Sequence, residues 1–165
     1  MRPPPAVLDA FGAIGEPVAL GGGEGRCWRV ADIVLKLCDD EAEWTWLGAV
    51  LPAVAQDGFR LALPMRATDG RWVVDGWCGQ PVVAGAQAER WVDVIEVGER
   101  FHAAIGSLAR PRFLDLRTNP WSIGDRVAWE ELAPPVSHPI LARLLEMRAN
   151  GTSESIQACR CRQYL

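Results

Sequence analysis

Apolar and polar positions alternate in two short runs, at residues 27–30 and 33–37, and Ala31-Asp32 between them has the length of a tight turn. The pattern predicts a hairpin with its tip at residues 31 and 32, preceded by a strand at 18–20 that runs into a glycine cluster. From residue 40 the period changes. Asp40 and Glu43 stand in capping-box spacing, and Trp44, Leu47, Leu51 and Val54 then recur at helical intervals, which predicts a helix over 40–55. At about 100° per residue its apolar stripe centres between Leu47 and Leu51, with Glu43 roughly 60° from that centre and Glu41 roughly 100° away on the other side. Glu43 is therefore the carboxylate better placed to turn inward.

Farther along, residues 59–67 and 72–75 read as a second hairpin about the turn Thr68-Asp69-Gly70, and 77–83 as a further strand or extended linker interrupted by Gly79 and Pro81. Trp91, Val94, Ile95, Phe101, Ile105 and Leu108 share one face of a helix over 89–109, closed by Arg110-Pro111. Residues 112–136 read as an irregular connection carrying tryptophan, in which Asp115, Asn119 and Asp125 serve turns and caps. A last helix starts with Ser137 as N-cap and Pro139 in its first turn, presents Ile140, Leu141, Leu144 and Leu145, and stops at Asn150-Gly151. Ahead of all this, Pro3 to Pro5 stiffen a lead into a short helix or strand at 7–11, ended by Gly12 and Gly15. Strands with one helix first and helices afterwards give an α+β order.

Composition adds constraints rather than a function. The 165 residues suit one core of ordinary size, and a net charge of −4 leaves no basic face for nucleic acid or for an anionic membrane. No stretch approaches the ~18 apolar residues of a membrane span, and the proline-rich start lacks a signal-peptide core, so the expected address is the cytoplasm. Five cysteines at irregular spacing suggest no disulfide framework, and Cys159-x-Cys161 with two distant histidines is a poor metal set. His102 sits beside Phe101 on a helical face, where packing explains it better than catalysis, and the eight tryptophans are accounted for by core and interface burial. Residues 151–165 lose the apolar period and read as a disordered tail, or as a terminus made in a shifted reading frame.

Candidate chemistry concentrates at 20–38. Glycines let backbone N–H groups approach a polyphosphate, and Lys36, delivered from the neighbouring strand, can reach the same oxygens as a point charge. The loop opens a strand, not a helix, and lacks a Gly-Lys-Ser or Gly-Lys-Thr triplet, so neither a Rossmann site nor a Walker loop is encoded. Between Lys36 and Leu165 there is no His-x-Asp-x-x-x-x-Asn loop and no following metal-binding Asp, so no residue is assigned a catalytic role.

In the order of these features, residues 20 to about 149 resemble the N-terminal portion of aminoglycoside-phosphotransferase-like proteins of the protein-kinase-like fold, of the uncharacterised actinobacterial sort. The resemblance is carried by Leu20-Gly-Gly-Gly-Glu-Gly-Arg-Cys-Trp-Arg-Val30, Val34-Leu-Lys36, Asp69-Gly-Arg-Trp-Val-Val-Asp-Gly-Trp77, Val83-Ala-Gly85 and Phe101-His-Ala-Ala-Ile105. It implies a small lobe over 1–85, a twisted antiparallel sheet of about five strands plus one helix, then linker helices of an incomplete large lobe over 86–150 and an atypical tail over 151–165. It further implies that Gly22, Gly23 and Gly25 cover the phosphates of ATP, that Lys36 pairs with the α- and β-phosphates, and that Glu43 holds Lys36, with Glu41 in reserve. Gln80, Val82 and Val83 belong to the implied hinge facing the adenine, where Pro81 has no N–H to give, and Val34 or Leu35 lines the pocket. Mg²⁺ accompanies ATP in the complete family fold, but its ligands are missing from this sequence, as is any sign of the acceptor. The expected function is the ATP-binding portion of a small-molecule phosphotransferase without its catalytic half; the alternative is a non-catalytic interaction module whose glycine loop is a plain turn.

Overall fold

The computed structural model describes residues 1–21, 25–85 and 90–149. It is an α+β protein whose sheet has five strands: β1 (Val18–Ala19), β2 (Cys27–Val30), β3 (Ile33–Leu37), β4 (Val73–Val74) and β5 (Trp77–Pro81). The strands are antiparallel throughout and lie in the order β1-β2-β3-β5-β4. Helix α1 (Pro5–Ala10) precedes the sheet, α2 (Glu41–Val50) lies between β3 and β4, and α3 (Trp91–Ile105) follows β5. Beyond them come α4 (Phe113–Leu116), α5 (Pro120–Ala128) and α6 (Pro139–Ala149). The chain divides into two compact units, Met1–Phe101 and His102–Leu165, whereas the sequence reading drew its boundary at residue 85.

Both faces of the sheet are covered, and the register says by what. Residues 33, 35 and 37 of β3 share a face with Trp28, Val30, Trp77 and Gly79 of its neighbours, because partners across an antiparallel ladder point the same way. That face forms the main core: Ile33, Leu35, Val30, Val74 and Trp77 pack with Val7, Phe11 and Ala13 from α1 and its exit. The segment left open as helix or strand is thus a helix, with Pro5 at its first turn and Val7 fully buried. On the opposite face α2 lays Trp44 against Val73 and Cys78, with Cys38, Leu47 and Trp72 around them.

Helix α2 starts where expected: the Asp40 carboxylate accepts from Ala42 N at 3.0 Å and Glu43 N at 3.1 Å. Of the expected stripe Trp44, Leu51 and Val54 are buried and Leu47 packs part-buried beside Trp44. Gly48 is buried with them, where a Cβ would fall 2.6 Å from the Trp72 ring. The expected hairpin of 59–67 with 72–75 does not form. Met65 makes one isolated bridge to Gly79, and β4 pairs instead with β5 about Asp75-Gly76. Both turn residues have positive φ, 49° and 76°, which is the geometry a two-residue hairpin of this twist needs and which Asp-Gly readily adopts. Thr68-Asp69-Gly70 still turns the chain, closed by Ala67 N donating to Arg71 O at 2.8 Å. There the Arg71 guanidinium bonds to Asp69 and holds that carboxyl below its usual range.

In the second unit the region expected to be irregular holds two helices. Asn119-Pro120 begins α5: the Asn119 side chain accepts from Ser122 N at 2.9 Å and proline occupies the first turn. Asn119→Ala is therefore expected to destabilise this unit by about 0.5–2 kcal/mol, measured as a lower urea midpoint with unchanged slope. Arg110 bridges Asp115 at 3.0 Å and Glu131 at 2.9 Å, so Asp115 is structural, as its place in a connection suggested. At α6 the capping group is His138, not Ser137: its Nδ1 accepts from Ile140 N at 3.2 Å. The tail expected over 151–165 lies outside the described residues.

Candidate functional site

Lys36 is the last residue but one of β3, on the α2 side of the sheet. Its ladder partners are Cys27 on β2 and Cys78 on β5, so three side chains form one row across the sheet. Two positions along the same face, Val34 pairs with Arg29 and with Gln80. This decides which neighbour of the lysine shares its side: Val34 does, and Leu35 is sealed in the core beneath α1.

The glycine cluster falls in the connection from β1 to β2, of which Gly21 and Gly25 are described. Leu20 N donates to Cys27 O at 3.0 Å and closes it, and Leu37 N donates to Arg26 O at 3.3 Å, tying the returning strand to β3. Gly25 is exposed with φ of 69°, a conformation that any Cβ strains, and it lies two residues before the ladder partner of Lys36. Gly22 and Gly23 lie outside the described residues. The Arg26 guanidinium bonds to the Asp39 carboxylate at 2.5 Å.

The lysine amine sits 4.3 Å from the centre of the Trp44 ring. The partners expected for Lys36, Glu43 and Glu41, both stand in the first turn of α2. Glu43 is half-buried one residue before Trp44, and Glu41 is exposed, in keeping with the helical angles that ranked them. Sequence reasoning missed Trp44 as the group that meets the amine, because it read that residue as part of the helix–core seam; a tryptophan next to the inward glutamate was the available signal.

Charge around the row is sparse. Burial pushes the Cys78 thiol well above its ordinary pKa, and burial likewise raises Cys38, which contacts it. Both thiols stay neutral at ordinary pH. Among the described residues no group of three or more His, Cys, Asp or Glu side chains could hold a metal ion. None of their helices is long and apolar enough to cross a membrane.

Of the expected hinge, Gln80 is half-buried on the Lys36 face and Val83 is exposed. Val82 N donates to Asp32 O at 2.7 Å, so that donor is spent on the β2–β3 turn. Beyond it Ala84 O accepts from the Arg60 guanidinium at 2.6 Å. The geometry therefore offers one amine, one glycine of left-handed backbone and a half-buried apolar shelf. No family model matches the chain, and no curated protein and no solved structure matches it.

Proposed function

We propose that residues 18–83 form a nucleotide-polyphosphate site of the protein-kinase-like kind, in which Lys36 and the glycine bend hold the phosphates of ATP. One observation carries the reading: Lys36 is paired across the ladder with Cys27, the residue that closes the bend, so amine and bend lie on adjoining strands. A five-stranded antiparallel sheet with one helix between its third and fourth strands supports it, as do Val34 and Gln80 on the same face, where a base could lie. Binding needs the amine to leave the buried Trp44 ring for the phosphates. The step costs between the about 0.5–1 kcal/mol of an exposed cation–π contact and the about 2 kcal/mol of a desolvated one, and is offset by charge-assisted bonds to phosphate. Glu43 is then within its own helix's first turn to receive the lysine's third donor.

The reading is confined to ATP binding, since these 165 residues carry no His-x-Asp-x-x-x-x-Asn loop. Isothermal titration of the 165-residue protein with ATP–Mg²⁺ is the test. Lys36→Ala is expected to weaken binding at least tenfold, about 1.4 kcal/mol, and no product is expected from ATP with any small alcohol. Binding that is equal in the two proteins removes the lysine from the site.

A second reading rests on a specific observation too. The Lys36 amine and the Val82 amide are both engaged within the fold, as they would be in an interaction module whose glycine bend is a plain turn. On that reading neither protein gives heat with ATP, and Lys36→Ala loses only the contact with Trp44.

A further inference from the structure

Away from the sheet face that carries Lys36, the first unit contains a cavity of about 580 Å³ between the segment 59–61 and one face of α3. Its walls are Phe59, Leu61, Val94, Val97 and Phe101. The two phenylalanine rings meet edge to face, centroids 5.6 Å apart at 86°, which fixes one end of the space. Gly98 forms part of the lining, and a Cβ built there meets nothing within 4 Å, so the space extends to the helix backbone. The volume falls within the ~300–1,000 Å³ of small-molecule sites.

The polar groups at this cavity are few and unequal. Asp93, in the first turn of α3, is paired with Arg90, the residue just before that helix. Arg60 is pinned by its bond to Ala84 O at 2.6 Å and has no carboxylate partner among the described residues. A guanidinium carries five donors, so one backbone carbonyl leaves most of its fork unused beside an apolar wall. A carboxylate matches that fork with two parallel bonds, and Arg90–Asp93 adds no net charge to attract a second anion.

We propose that this cavity binds an apolar monocarboxylate, an aryl or medium-chain acid, with its hydrocarbon between Phe59, Val94 and Phe101 and its carboxylate on Arg60. The acid is recognised by two features at once: a body that removes apolar surface from water, and a single negative charge placed at the rim.

The test uses 2-naphthoate, its alcohol analogue 2-naphthalenemethanol and the cation 2-naphthylmethylammonium, titrated calorimetrically into the 165-residue protein. The acid is expected to bind at least tenfold tighter than the alcohol, and the cation most weakly. Arg60→Gln is expected to erase the preference for the acid while leaving the alcohol's affinity in place. Gly98→Leu, which fills open space, is expected to weaken acid and alcohol alike by tenfold or more, with thermal melting of each variant confirming the fold. Equal affinity for acid and alcohol, unchanged affinity in Gly98→Leu, or no saturation below millimolar acid overturns the proposal. ATP–Mg²⁺ is expected not to compete with the acid, so failure here leaves the Lys36 site standing, and competition would overturn the separation of the two.

Discussion

Trp77→Ala is expected to remove about 3–5 kcal/mol of stability, the cost of truncating a large aromatic side chain in a packed core. Domains of this kind are stable by about 5–15 kcal/mol, so the substitution consumes a large share of the total. Trp77 is 1% exposed and pairs on β5 with both Leu37 and Val74, so its ring joins the two halves of the sheet on the α1 side. No neighbour is free to fill the space: Leu35 and Val7 are themselves fully buried, and α1 closes the face. Urea denaturation followed by far-ultraviolet circular dichroism gives the loss as a shift in midpoint. A shift corresponding to less than about 1 kcal/mol would mean that this core collapses around the gap.

Gly79→Ala is expected to destabilise by about 1–3 kcal/mol, against the usual gain from replacing a strand glycine. A Cβ at this position falls 2.9 Å from Phe11 Cδ1, 3.0 Å from Cε1 and 3.1 Å from Met65 Cγ. Met65 can swing aside at little cost, because its side chain is long and unbranched. Phe11 cannot, since it is 3% exposed and wedged between α1 and the strand. The conflict is therefore with one ring, and a double-mutant cycle with Phe11→Leu exposes it: Gly79→Ala should cost clearly less once the ring has been replaced by the smaller aliphatic side chain. Strict additivity of the two changes would place the strain elsewhere.

These positions also show what the sequence makes legible. Alternation at 27–30 and 33–37 located the hairpin and its tip, and the cap at Asp40 located α2, because both signals are local. The choice between Val34 and Leu35 stayed open because a strand covered on both sides carries apolar residues on both, so alternation does not say which side faces what. Register decided it, and register is a long-range property. The turn at Asp75-Gly76 was within reach, since Asp-Gly between Val-Val and Trp-Cys is a hairpin signal, but the nearer Thr68-Asp69-Gly70 competed for the same role. Asn119-Pro120 likewise carried a readable helix start, hidden by the short apolar pattern that followed.

The candidate site was legible as residue types and not as partners. Lys36, Val34 and Gln80 share one face of the sheet. What meets the lysine could not be read, because a contact between a strand and a helix leaves no periodic trace in the sequence; the Trp44 ring 4.3 Å from the amine stands next in sequence to Glu43.

Helix α1 leaves the ribosome well before the strands that shelter it. Its carbonyl at Ala10 waits for the amide of Thr68, and Phe11 waits for Gly79. A nascent chain halted ahead of β5 thus displays Val7 and Phe11 to solvent, and such a ribosome-bound intermediate is a natural client for chaperones that recognise short apolar stretches.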